Sequence, residues 1–447
     1  MGISKKQVQR MCLAGIAVVA VGALWGPHAA MAEELRAGEG RTWYRGNMHT
    51  HSHWSDGDDY LESIGLWYRN EGYDFLVFTD HNVLADKERW VDIEKAKGGQ
   101  KAYDKLKKNF PDWIEERTVE GRTEVRLRRF DEVVDKLAIP GEYLLIQGEE
   151  ISDRFEKYPI HMNATHLREL IQPQGGNSVT EVMQRNLDAV AAQRKKTGQA
   201  MILHLNHPNF GYAVNVEDII PLVGEKFFEV YNGHPGVHNS GDDKRASTER
   251  IWDIVLTKRL AEWKLPVMYG LATDDGHNYH NIPSRASEPG RGWVMVLAEE
   301  LTPEALIESL EAGKFYSSSG VELARVTADE KGIEIEAAPR EGETLTIEFV
   351  GTRAGYDPEG KPVLDDEGKE LRTTRRYSES IGMVLERVEG PRARYEFQGD
   401  EIYVRARVTS SLDHPNPSEL GEKQRAWTQP VLGKAVAVDG QGPRASR

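Results

Sequence analysis

From about residue 43 to 320 the chain alternates short apolar runs with amphipathic stretches, and this alternation restricts the fold more than any other feature of the sequence. Strand candidates are 43–49 (WYRGNMH), 74–80 (DFLVFTD), 143–151 (YLLIQGEEI), 200–205 (AMILHL), 227–232 (FFEVYN), 266–273 and 292–298; helix candidates are 59–71, 178–197, 248–262 and 302–312. Strands that take turns with helical stretches predict βα units on a parallel sheet. Their number predicts a barrel more than an open sheet. No glycine-rich dinucleotide or phosphate-loop fingerprint follows any of them.

Two stretches depart from the alternation. Residues 84–140 are highly charged and contain a hairpin candidate, 114–129, turning at Glu120-Gly121. An insertion on the rim reads either as a lid or substrate-recognition element or as surface decoration. After Phe315 the pattern changes: 321–432 carries short alternating runs broken by Gly, Pro and Asp, which predicts a small C-terminal β-sandwich-like domain. Residues 433–447 read as a tail.

The first 32 residues read as a cleaved signal peptide. Lys5, Lys6 and Arg10 precede the apolar stretch Met11 to Trp25, and Ala30-Met31-Ala32 offers a small-x-small cleavage site. The apolar run falls short of the roughly 20 residues needed to span a bilayer, so a periplasmic or secreted protein with no membrane attachment after cleavage is expected. Cys12 is the single cysteine and leaves with the leader, which removes disulfides and a cysteine nucleophile from the mature chain. The formal charge is −15, against the basic footprint of nucleic-acid binders. Small anionic substrates stay open, because bound cations dominate a local field.

Nearly every strand candidate ends in His, Asp or Glu, and in (β/α) barrels that rim is where sites are built. His49-Thr50-His51 leads to Ser55-Asp56-Gly57. Side chains at i and i+2 of a strand point the same way, so His49 and His51 can reach one ion and Asp56 can fold back over it. His53 has the same spacing but falls past the strand end. Thr79-Asp80-His81-Asn82 supplies His81, with Asp80 as a candidate to orient an imidazole. In Gly148-Glu149-Glu150 neighbouring side chains face opposite sides, so one carboxylate enters the site: Glu150 as a bridge between ions, Glu149 as the structural alternative. His161 and His207 are further ligand candidates, while His204 reads as a packed core histidine and His166 as peripheral. Asp275 and His277 pair at i and i+2 in Asp274-Asp275-Gly276-His277. Imidazole with carboxylate and no thiolate suits Zn, Mn or Fe. The ligand set exceeds what one ion uses and fits two or three divalent cations.

These motifs occur in the order seen in the PHP superfamily (polymerase and histidinol phosphatase domain), which the region 43–320 resembles. The phrases Phe228-Glu229-Val230-Tyr231-Asn232-Gly233 and Gly313-Lys314-Phe315-Tyr316-Ser317-Ser318 make it look closest to the CehA/McbA-type metallohydrolase branch, which includes carbaryl hydrolases. The resemblance implies an α/β fold, a distorted (β/α)7 TIM-like barrel. Carried over by position, His49, His51, Glu150 and Asp275 would hold one ion, Glu150, His161 and His207 a second, and Asp56, His81 and His277 a third. The insertion and the C-terminal region lie outside the shared core.

Three functions follow as expectations. The first is an exported, metal-dependent phosphoesterase using a metal-bound hydroxide, with Asp275, His277 and Glu150 at the chemistry and a small, anionic ester as substrate. Arg245 (with Lys244), Arg285 and Arg291 are candidate anion clamps, and His234 or His238 could protonate a leaving group. The second is a carbamate or carboxylic ester hydrolase with the same metals, its pocket lined by Trp54, Phe210, Tyr212 and Tyr231. The third is a metal-stabilised glycan- or protein-binding module without catalysis.

Overall fold

The computed structural model describes residues 33–38 and 40–437. The leader expected at 1–32 and the tail from 438 onward lie outside the described residues. Among the described residues no helix is long and apolar enough to cross a membrane.

The expected strands form, and they join a mixed sheet of 14 strands. Thr42–Asn47, Phe75–Phe78 and Leu144–Phe155 run parallel to one another. Ile202–Leu205, Phe227–Asn232 and Tyr269–Thr273 make a second parallel set. The uninterrupted parallel sheet expected from the alternation is corrected at two places. The extended run around His161 is a full strand, Tyr158–Thr165, antiparallel to both neighbours and inserted between the two sets. A tight turn at Glu156-Lys157, with Glu156 at φ 53°, folds it back directly, and so no helix separates it from Leu144–Phe155. Trp293–Ala298 also runs antiparallel to Thr42–Asn47.

Local chemistry explains the helices that flank this sheet. In Val179–Thr197 the Ser178 side chain accepts from the Glu181 N–H, and Gly198 ends the helix at φ 70°, a conformation glycine enters without Cβ strain. Pro303–Glu311 starts with the Thr302 cap and proline in the first turn. The strand Phe75–Phe78 is buried on both faces, Leu76 and Phe78 against flanking helices and Phe75 and Val77 against residues of other strands.

At the rim the two parallel sets approach each other. Thr50 and Gly276 form an isolated parallel bridge, with His51 N–H donating to Gly276 O at 3.0 Å. The edge strand Tyr269–Thr273 is met by side chains: Gln429 accepts from Gly270 N–H, and Ser317 Oγ donates to Gly270 O.

Residues 84–140 hold a three-stranded sheet (Arg89–Asp92, Glu116–Val119, Arg122–Leu127) and two helices, Gly99–Asn109 and Phe130–Leu137. The hairpin turns at Glu120 and Gly121, both at positive φ, as a two-residue β-turn of this kind requires. The large sheet continues past residue 320. Phe315–Ser318 pairs with Lys423–Thr428, and Leu345–Arg353, Met383–Glu389 and Glu401–Asp413 follow. A separate four-stranded sheet (Glu33–Arg36, Leu323–Asp329, Gly332–Ala337, Arg392–Glu396) shares a buried core with them, including Val326, Ile335, Phe349 and Val408.

Candidate metal centre

All nine ligand candidates converge at the rim. The long strand Leu144–Phe155 carries Glu149 and Glu150 on opposite faces. Glu149 turns to the loop before Val179–Thr197 and accepts from Ile171 N–H at 2.9 Å, while Glu150 faces inward. Glu150 Oε1 lies 3.5 Å from His49 Nε2, 3.0 Å from His161 Nδ1 and 3.4 Å from His207 Nε2. Its Oε2 lies 3.3 Å from His51 Nε2 and 2.7 Å from His81 Nδ1. One carboxylate therefore touches five imidazoles.

Asp275 Oδ1 stands 3.3 Å from both His49 Nε2 and His51 Nε2. Its backbone is at φ 50°, a region costly for a non-glycine residue and one that functional sites often hold by force of their surroundings. Asp56 Oδ1 reaches His277 Nε2 at 3.2 Å and His81 Nε2 at 3.5 Å. Ligand atoms of His51, Asp56, His81 and His277 lie within 4.8 Å of one another, as do those of His49, His51 and Asp275, of His49, Glu150 and His207, and of His81, Glu150 and His161.

The donor set fits divalent cations. His49 Nε2, His51 Nε2, Asp56 Oδ1 and Glu150 Oε2 are buried without a hydrogen-bond partner, and buried polar atoms in native proteins are nearly always satisfied. Burial disfavours charge on each of these groups, and His49, Asp56 and Glu150 keep it by facing opposite charge. The imidazoles around Glu150 and Asp275 hold both carboxyls well below their usual range, and the same carboxylates raise His49 well above its own. Burial, with His277 and His81 beside it, pushes His51 down to about 3, which leaves it neutral and able to bind a metal.

An outer layer fixes these ligands. Glu229, in the middle of an apolar strand, is fully buried and accepts from His49 Nδ1 at 2.7 Å, which aims His49 Nε2 into the centre. Asn206 Nδ2 donates to Glu150 Oε1 at 2.8 Å. Asp80 does not touch an imidazole directly. It accepts from Ser52 N–H, Ser52 Oγ and Ser55 Oγ, and so braces the loop from His51 to Asp56. The sequence reading missed Glu229 and Asn206 as site residues, although a lone carboxylate within FFEVYN was the available signal. His204 is fully buried as expected, with its Nε2 3.4 Å from Glu229 Oε1. His53 bonds Gly57 O and His166 bonds Ala200 O, each apart from the nine.

The anion clamps fare differently. Arg291 is corrected: it is fully buried and all its donors are taken, by Asn416 O, Asn416 Oδ1, Gly233 O, Ala286 O and Glu288. Its role is to tie the late loops together. Arg245 bonds Asp242 and lies over the Tyr212 ring, and Lys244 bonds Asp366. Arg285 is exposed on the loop after Asn281. The His234 ring stands 5.7 Å from that of His277, and its Nδ1 accepts from Gly236 N–H, which leaves the proton on Nε2. Burial lowers its pKa and favours that neutral form. His238 stacks on Tyr212, exposed.

No family model matches the chain, and no curated protein does. Among solved structures, a two-domain protein from Bacteroides vulgatus aligns over 91% of this chain and 99% of its own, with 16% identity and a TM-score of 0.39. A protein from Bifidobacterium adolescentis aligns over 59% of this chain and 95% of its own, at 16% identity and a TM-score of 0.28. Both are assigned by prediction as metal-dependent phosphoesterases, the first of them PHP-like.

Proposed function

We propose that this chain is a PHP-type metal-dependent hydrolase that cleaves phosphoesters, with two or three divalent cations (Zn, Mn or Fe) shared among the nine side chains. The observation that carries the reading is Glu150, one buried carboxylate set among five imidazoles, with Asp275 and Asp56 on either side. Cations held there would lower the pKa of a water, polarise the ester and stabilise the leaving oxygen. Glu150 offers one oxygen to His49, His161 and His207 and the other to His51 and His81, so it would help hold a cation on either side. Asp275, assigned to the first cation, and His277, assigned to the third, meet with Oδ1 3.5 Å from Nδ1. His234 presents an Nε2–H donor next to His277, suited to a leaving-group oxygen. We read the two parallel sets, meeting at the Thr50–Gly276 bridge, as the distorted barrel, the β-rich segment beyond residue 320 as an attached sandwich, and residues 1–32 as the leader that exports the enzyme.

A second reading keeps the residues and changes the bond to a carbamate or carboxylic ester. Phe210 favours it: its ring packs 5.2 Å from His207 and 6.2 Å from His161, giving the mouth an apolar wall.

The test is turnover of p-nitrophenyl phosphate, acetate and a carbamate by the metal-loaded protein and by Asp275→Ala. Loss of a ligand is expected to lower kcat/KM for the phosphate ester by more than about a hundredfold, the upper range for loss of an outer-layer partner. Turnover of the acetate or carbamate alone would move the assignment to the second reading.

A further inference from the structure

Three lysines of the insertion, at spacing four, grip the two loops that carry ligands. Lys97 donates to Asp56 O and, at 3.2 Å, to Asp56 Oδ2. Lys101 bonds Asn281, and Lys105 bonds Asp59 and Tyr279 O. Residues four apart share one face of a helix, so the start of Gly99–Asn109 lies along both loops. The turn before that helix packs closely on the loop that bears Asp56. Gly98 is at φ 76°, and a Cβ there would fall 2.1 Å from Asp58 O and 2.9 Å from His280 Nε2. The position of Lys97 is thus set by backbone contact with the loop that bears Asp56.

Asp56 uses its two oxygens differently. Oδ1 faces His51, His81 and His277, and Oδ2 faces Lys97. An ammonium has three N–H donors, and Lys97 directs two of them at Asp56. Its side chain is 58% exposed, at the mouth of the site. Among the described residues it is the one lysine or arginine in ion-pair contact with any of the nine ligand candidates. The arginines expected to clamp an anion are occupied elsewhere or stand on an outer loop.

We infer that the insertion completes the substrate site, and that the free N–H of Lys97 binds an anionic oxygen of the phosphoryl group beside Asp56. This rests on the phosphoester reading. It gives residues 84–140 a role in recognition, and it makes specificity for an anionic ester depend on a segment outside the barrel. Charge-assisted donors are the strong class of hydrogen bond to phosphate, and a lysine serves as a point charge that tolerates reorientation as substrate arrives.

The experiment compares wild type, Lys97→Ala, Lys97→Arg and the exposed Lys108→Ala. Three quantities are read: inorganic phosphate binding by calorimetry, bound metal by elemental analysis, and KM and kcat on p-nitrophenyl phosphate and acetate. Lys97→Ala is expected to weaken phosphate binding and raise KM for the phosphate ester by about tenfold or more, a loss of one charged contact. Metal content and acetate turnover should stay within about twofold of wild type, with Lys97→Arg recovering part of the loss. Unchanged phosphate binding in Lys97→Ala overturns the inference. So does a parallel loss of metal and of acetate turnover, which would limit Lys97 to positioning Asp56. A wild-type protein that turns over no phosphate ester defeats the phosphoester reading instead, and the calorimetry still decides on Lys97.

Discussion

Glu229 accepts four hydrogen bonds, from His49 Nδ1 at 2.7 Å and from His207 N–H, Asn232 Nδ2 and Thr273 Oγ1 at 2.8 Å each. Both oxygens are fully used as acceptors, so an amide would force its NH2 against a donor. Burial alone would raise its carboxyl, but His49 and His204 hold it well below the usual range. Glu229→Gln is expected to lower metal affinity by about 10–100-fold with the fold intact, the usual cost of losing an outer-layer partner. Competition against a chromophoric chelator measures this, and equal affinity would show that His49 orients itself. The contrast with Arg291 is instructive at this scale. Both side chains are charged and buried, yet Arg291 spends every donor on loop carbonyls and side chains and has none for a ligand.

At the scale of elements, the insertion meets the ligand loops through a turn that admits glycine alone. Gly98→Ala adds a Cβ at positive φ within 2.1 Å of the Asp58 carbonyl. The strain, about 1–3 kcal/mol, is relieved by lifting the turn, which carries Lys97 away from Asp56. Stability is expected to fall by an amount in that range, and KM for a phosphate ester to rise as in Lys97→Ala. A variant with wild-type KM would separate the turn from the site. The spacing of Lys97, Lys101 and Lys105 was legible in the sequence, but not the surface that they grip, since nothing local relates residue 97 to residue 56 or residue 101 to residue 281.

Across the whole molecule, residues beyond 320 are bound to the metal-bearing part by buried polar contacts. Arg405, 1% exposed, makes a two-pronged pair with Asp253 at 2.9 and 2.8 Å, and Tyr403 OH donates to the same carboxylate. Trp427 stacks on Tyr231 at 5.8 Å, and Asn416 takes two donors of Arg291. Asp253→Ala leaves a buried guanidinium whose remaining carboxylate contact among the described residues is Glu249, at 3.3 Å, and is expected to cost about 3–5 kcal/mol. Because the contact joins the two regions, denaturant unfolding followed by tryptophan fluorescence and by circular dichroism should give one coincident transition in the wild type. Two separate transitions, with Asp253→Ala shifting just one, would mean that the regions are independent.

The chain order of apolar runs determined by itself where most strands and helices lie, because hydrophobic periodicity is local. It also marked His49, His51, His81, His207, Asp275 and His277 as following strands, whereas Glu150 and His161 proved to lie within strands and Asp56 in a loop. Sheet order was decided only in three dimensions. The antiparallel strand Tyr158–Thr165 entered between two parallel sets through a two-residue turn, and the sheet ran on through Phe315–Ser318 into the last hundred residues. Charged side chains were the least legible class. An arginine reads the same in sequence whether its donors meet water, a carbonyl or a substrate, and only packing brought Glu229 to His49, Arg291 to Asn416 and Lys97 to Asp56. Those partners lie 180, 125 and 41 residues apart along the chain, far beyond the reach of any local pattern.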